Sequence, residues 1–281
     1  MSSTDQGKAA SGGADGVHWN PDLSYGSYLE LDRLLSCQRL RSTAHDEMLF
    51  IVIHQASELW LKLCVFEVEA AMQRVAADDV AAALKMLARV SKIQAQLTQS
   101  WSILATMTPA DYSRLRPSLG QSSGFQSYQY RQLEFRLGNK NAMLIRAHEN
   151  NPAAHQMLTR VLHEPSLYDV VLQYMHRHGF AIPESAVQRD WSVSYQANEA
   201  VQAAWLQVYQ STDRYWALYD LAEKLVDVEH QFQRWRFDHM KTVERIIGYK
   251  RGTGGTSGVA YLAQALELRF FPELWNVRTS L

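Results

Sequence analysis

Alternating apolar and polar residues, the pattern of a half-buried strand, hardly occur in this sequence; apolar residues at three- and four-residue steps run through most of it. "LSYGSYLELDRLLS" predicts a short amphipathic helix, and from His45 to about Val75 the helical pattern continues without glycine or proline. The aspartates of "ADD" suit a helix start, and a second long run follows from Val80 to about Met107. "TPADYSRLRP" predicts a brief helix with Thr108 as N-cap, Pro109 in the first turn and Pro117 as its stop. "GFQSYQYRQLEFRLG" predicts another, bounded by glycines. Prolines at 152, 165 and 183 break residues 140–205 into shorter helices, and one long helix is expected from about 212 to 247. Helices of this length exceed the usual three turns. The expected fold is therefore all-α: a single helical-bundle domain with long antiparallel helices over residues 21–281, after a disordered polar lead-in at 1–20.

Composition narrows the classes. Hydrophobic residues make up 47% and charged residues 20%, ordinary for a globular protein, and a net charge of −1 offers no basic field for nucleic acid or membrane. Cys37 and Cys64 form no disulfide framework and no CxxC pair, which fits a reducing, cytoplasmic setting. The richest apolar stretch, "MLFIVI", is too short to cross a bilayer, so no membrane span is expected. Eight Trp and thirteen Tyr point either to a large core or to the enclosure of something flat and amphipathic.

The candidate chemistry lies on the helical stripes. Leu218, Leu221, Leu225, Val228, Phe232, Trp235, His239, Val243 and Ile246 step by three or four, so His239 falls on a buried face. Such a histidine is either a core residue bonded to a carbonyl or carboxylate, or an axial ligand whose second nitrogen is held by an acceptor. No HExxH and no Cys/His cluster argues for zinc, and a single ligand among aromatics points to haem. Phe50 and His54 are four apart on one helix face, where His54 is a packed core residue or a polar handle for a ligand N–H. Tyr112 and Arg116 are also four apart: an exposed pair, or a guanidinium steadied by a phenol for a carboxylate. "KRGTGGTSG" lacks the Walker spacing; it is a plain linker, or a loop whose amides and Thr253 approach an anion.

Taken in order, "YGSYLELDRLL", "HDEMLFIVIHQASELWLK", "SSGFQSYQYR", "EPSLY", "STDRYW", "LVDVEHQFQRWRFDHM", "GYKRGTGGTSGV" and "FFPELWNVRT" resemble the blocks of the tryptophan 2,3-dioxygenase family, from about residue 25 to 279. The resemblance implies an oxidoreductase with one haem b per subunit. It would insert O2 across the indole C2–C3 bond of L-tryptophan to give N-formyl-L-kynurenine, the first step of tryptophan catabolism by the kynurenine route. His239 would be the axial iron ligand and His54 the catalytic-site residue facing the indole N–H. Phe50, Ile51, Val52 and Ile53 would line the indole pocket with it. Arg116 would clamp the substrate carboxylate beside Tyr112, and Thr253 would bind its ammonium and carboxylate. A homotetramer is implied, in which Tyr25, Tyr28 and Leu29 of the amino-terminal helix complete a neighbour's pocket. The alternatives are an oxygenase of the same fold for another indole, a non-catalytic sensor and a helical scaffold; Arg116 with Thr253 favours an amino-acid substrate.

Overall fold

The computed structural model describes residues 23–281, so the lead-in expected at 1–20 lies outside the described residues. Contacts separate a segment ending at Arg41 from a unit spanning Ser42–Leu281. In the first segment the expected single helix is two short ones, α1 (Tyr25–Tyr28) and α2 (Leu31–Leu35). Glu30 between them has φ 51°, a left-handed conformation that no α-helix continues through. Ser24 and Ser27 cap α1 reciprocally. Tyr25 and Tyr28 are 77% and 74% exposed and Leu29 41%, so this chain leaves their apolar surface uncovered.

The second unit begins with a hairpin of α3 (Glu47–Ala76) and α4 (Val80–Leu104). Asp79 closes it by accepting from the Ala82 amide and pairing with Arg74 at 3.2 Å. The remaining elements are α5 (Pro109–Leu119), α6 (Tyr128–Leu137), α7 (Pro152–Leu162), α8 (Leu167–Arg177), α9 (Glu184–Val187), α10 (Glu199–Gln210), α11 (Trp216–Ile247), α12 (Val259–Ala265) and α13 (Pro272–Ser280). Among the described residues there is no strand, as the periodicity predicts. The apolar stripe of α11 lies where its spacing puts it, with Leu218, Leu221, Leu225, Val228, Phe232 and Ile246 buried.

Two local expectations change. Pro117 does not stop α5: its ring sits on the exposed side of the last turn, the helix runs on to Leu119, and Gly120 ends it. In the segment from Gly124, Ser127 accepts from the Tyr130 amide, so a 3-10 turn (Gly124–Gln126) precedes a separate α6. The C-terminal α12 and α13 carry no sequence expectation above, although Pro272 at the first turn of α13 is a start signal.

Direction matters more than length here. Trp101 meets Trp235 and His239, and farther on Ala105 accepts from Arg245, so α4 and α11 run parallel rather than antiparallel. α3, joined to α4 by a tight turn, is antiparallel to it and hence to α11. α4 is packed along α3 and along α11, while α3 and α11 make little direct contact with each other. Phe50 and His54 lie on α3 and His239 on α11. Contrary to the sequence expectation, α3 is long and apolar enough to cross a bilayer by those criteria, with a window of mean hydropathy 1.5. It packs against α4, α6 and α8, and carries Glu58, Lys62, Glu67 and Glu69.

Candidate active site

His239 stands one turn beyond Trp235 on α11, and α4 brings Trp101 flat against it: ring centroids are 4.7 Å apart and the planes differ by 13°. Trp235 closes on the same imidazole at 5.3 Å. Among the described residues no side chain or backbone carbonyl is hydrogen-bonded to either ring nitrogen of His239. Burial pushes its pKa down to about 4, and a proton on His54 would push the same way, so the ring is neutral at pH 7 with a lone pair free. No group of three or more His, Cys, Asp or Glu among the described residues could hold a bare metal ion. One neutral nitrogen inside an aromatic wall fits a metal whose other ligands come from a flat macrocycle.

His54 on α3 is close enough across this space for its charge to act on His239. Its Nδ1 lies 2.7 Å from the carbonyl oxygen of Phe50. A carbonyl can only accept, so Nδ1 carries the proton and Nε2 of the neutral ring is an acceptor. Burial lowers the His54 pKa against the opposing pull of the Phe50 carbonyl and the Glu58 carboxylate, which keeps that tautomer neutral. The Phe50 ring rests 4.1 Å from the imidazole. The five residues from Phe50 to His54 do not share one environment, because consecutive helical side chains point 100° apart. Phe50 and His54 stay together; Ile53 is buried in the cluster of Leu104, Met107, Tyr112, Leu115 and Ile246; Ile51 is half-buried; Val52 is 44% exposed.

That same cluster leads from Phe50 to Tyr112, which is buried on α5, and from there to Arg116, whose guanidinium lies 6.0 Å from the phenol ring centre. Arg116 Nη2 donates to the carbonyl of Arg251 at 2.8 Å, and Thr253 Oγ1 donates to the carbonyl of Ser122 at 2.5 Å. These two bonds dock the glycine loop on α5 and on the turn after it. Arg116 and Thr253 thereby line one cleft of about 430 Å³ with Ser113, Pro117, Gly120, Arg251 and Gly252. The glycines serve close approach: a Cβ on Gly254 would meet Ser123 at 2.8 Å, and one on Gly258, at φ 65°, would meet the Lys250 carbonyl at 2.6 Å. The structure thus gathers His239, His54 and Phe50 at one end and Arg116 and Thr253 at the other, joined through Tyr112.

Sequence reasoning missed a buried charge cluster beside the aromatic wall. Glu134 of α6 pairs with Arg236 at 2.7 Å and with Arg131, and all three side chains are at most 3% exposed. Tyr130 donates to the same carboxylate at 3.1 Å and stacks 5.1 Å from Trp235, tying the cluster to the His239 wall. Two guanidiniums against one carboxylate leave an excess positive charge, and the Nε of both arginines is buried without a partner. An unbalanced buried charge with idle donors is costly unless an anion comes to it. The i, i+3 spacing of Arg131 and Glu134 is visible in the sequence, but Arg236 lies 102 residues away from Glu134, and no local pattern could join them.

The family described as tryptophan 2,3-dioxygenase matches residues 9–281. A tryptophan 2,3-dioxygenase of Bacillus thuringiensis (strain Al Hakam) is 56% identical over 268 residues, 95% of this chain and 96% of that protein. One from Exiguobacterium sibiricum is 57% identical over 260 residues, 92% of this chain and 93% of that protein. Tryptophan 2,3-dioxygenase 1 of Ralstonia nicotianae is 54% identical over 265 residues, 94% and 90% of the two chains. With identity at this level sustained from the first helices to the last, the chain belongs to the tryptophan 2,3-dioxygenase family.

Proposed function

We propose that this protein is an oxidoreductase that inserts both atoms of O2 across the C2–C3 bond of the L-tryptophan indole, giving N-formyl-L-kynurenine. The observation that carries the reading is the pairing of two neutral histidines across one space, one with an unengaged lone pair and one with a fixed acceptor nitrogen. Haem b, when bound, would supply the iron at which O2 is taken up. His239 would hold that iron through its free ring nitrogen. Arg131 and Arg236, with their idle Nε groups, suit the carboxylates of that macrocycle.

The substrate's reacting bond must be held in one fixed position, and that is the work of this chain's polar groups. His54 Nε2 accepts the indole N–H, while Nδ1 keeps its proton on the Phe50 carbonyl. Phe50 packs beside the imidazole and gives the indole an apolar wall. Arg116 pairs with the carboxylate after exchanging the Arg251 carbonyl for it, and Thr253 takes the ammonium and carboxylate from the loop side. An indole lacking these charges leaves Arg116 without an anion, which selects for the amino acid.

In the assembled protein, a homotetramer in the cytoplasm, Tyr25, Tyr28 and Leu29 of a neighbouring copy would complete the pocket. Their exposure supports this, as does the uncovered apolar line of Met48, Val52, Leu59 and Phe66 along α3.

The test is the absorption spectrum of the purified protein with and without L-tryptophan, combined with assay of N-formylkynurenine. Parent protein should bind haem stoichiometrically and turn over. His239→Ala should keep its helical circular dichroism, because the α11 stripe remains, but lose stable haem and turnover. Normal haem content and turnover in His239→Ala would sink the ligand assignment.

A further inference from the structure

We infer that Trp101 is a positioning residue for the axial ligand: its indole, stacked on His239, fixes the plane of the imidazole where a hydrogen bond ordinarily does so. The inference rests on the reading of His239 as that ligand. A histidine bound to a metal through one nitrogen nearly always donates its other N–H to a carboxylate, a backbone carbonyl or water, and that bond sets the orientation of the ring. His239 has no carboxylate or carbonyl on either nitrogen among the described residues. What it has is aromatic contact on two sides.

Trp101 comes from a different helix, lies parallel to the imidazole within 13° and sits 4.7 Å away, at stacking distance. Trp235, one turn earlier on α11, contacts the ring at 5.3 Å and 35°. The two indoles also brace each other at 5.5 Å. Rotation of the imidazole about a metal–nitrogen bond would drive its edge into the Trp101 face, so the stack removes that freedom. Both indole N–H groups are buried with no partner. The rings brace each other by packing. Trp101 also differs from an ordinary core residue in being only partly buried while lying flat against one imidazole.

There is an electronic consequence. A carboxylate acceptor would draw the imidazole toward its anion and make the iron electron-rich. An indole face instead gives a weak attraction for the partial positive charge of a ligated imidazole.

The experiment uses the full-length haem-loaded protein with Trp101→Leu and Trp101→Phe. Readouts are the iron–imidazole stretching band in the resonance Raman spectrum of the ferrous form, the ferric electron paramagnetic resonance g-values, haem affinity, and separate kcat and KM. Trp101→Leu should shift and broaden the stretching band, spread the g-values and weaken haem binding roughly 10–100-fold, the usual effect of removing a ligand's orienting partner. It should lower kcat more than it changes KM, since the substrate's contacts lie on the other face of the site. Trp101→Phe keeps a stackable ring and should recover most of each property; a well-folded phenylalanine variant whose stretching band and g-values are shifted and spread would overturn the stacking role, whether or not the leucine variant folds. Parent-like Raman and resonance signals in a haem-loaded Trp101→Leu protein, with only the melting temperature lowered, would show that Trp101 merely fills space. A parent protein with no iron–imidazole band would instead overturn the ligand reading itself, and this inference with it.

Discussion

Replacing Glu134 with glutamine tests whether the buried charge cluster is balanced by one carboxylate. Glu134, Arg131 and Arg236 are all at most 3% exposed, and among the described residues the carboxylate is the only anion paired with either guanidinium. Glutamine keeps the size of the side chain but removes the charge, and its NH2 would face a guanidinium, donor against donor. Breaking a buried pair in this way costs about 3–5 kcal/mol, because the remaining charge stays desolvated. At roughly 2–4 °C per kcal/mol for a domain near this size, the melting temperature should fall by about 6–20 °C. The assay is thermal unfolding by circular dichroism of haem-free and haem-loaded protein. If the guanidiniums also meet the carboxylates of bound haem, the loaded form should lose less than the haem-free form. A drop of less than about 3 °C in the haem-free protein would mean that water or relaxation already screens the cluster, and the charge argument would fail.

Three further outcomes are expected. Arg116→Ala should lower kcat/KM for L-tryptophan by roughly 10–150-fold, the worth of about 1.5–3 kcal/mol for a charged hydrogen bond, since the guanidinium lines an open cleft and is not sealed. Steady-state kinetics with a carboxylate-free indole in parallel should show little change, and equal losses would assign Arg116 to the fold. For His54, burial depresses the folded pKa, so the neutral acceptor is fully present above the ordinary value of 6.5 and is lost as pH falls below it. The acid limb of kcat/KM should therefore have an apparent pKa below 6.5 and vanish in His54→Phe; a limb at or above 6.5 would contradict the neutral tautomer. Gly258→Ala, which puts a Cβ 2.6 Å from the Lys250 carbonyl at φ 65°, should disturb the loop by about 1–3 kcal/mol. It should raise KM for L-tryptophan while haem content, read from the absorption spectrum, stays at the parent level.

What the sequence determined by itself was anything with a local period. The helical class, the buried stripe of α11 with His239 on it, the cap at Thr108 and the pairing of Phe50 with His54 all follow from steps of three and four residues. So does the adjacency of Tyr112 and Arg116, although the exact end of α5 did not, because a proline in a last turn loses only one hydrogen bond. The ordered motifs added the family, and with it roles for residues that no spacing could assign. Tertiary structure alone decided which helix faces meet. That α4 runs parallel to α11, that Trp101 lies on His239 across 138 positions of sequence, and that Glu134 reaches Arg236 across 102 are consequences of packing. A periodic pattern marks the face a helix buries but carries no information on the partner it is buried against. The site is built from such partners, each chosen by shape and charge over the whole molecule.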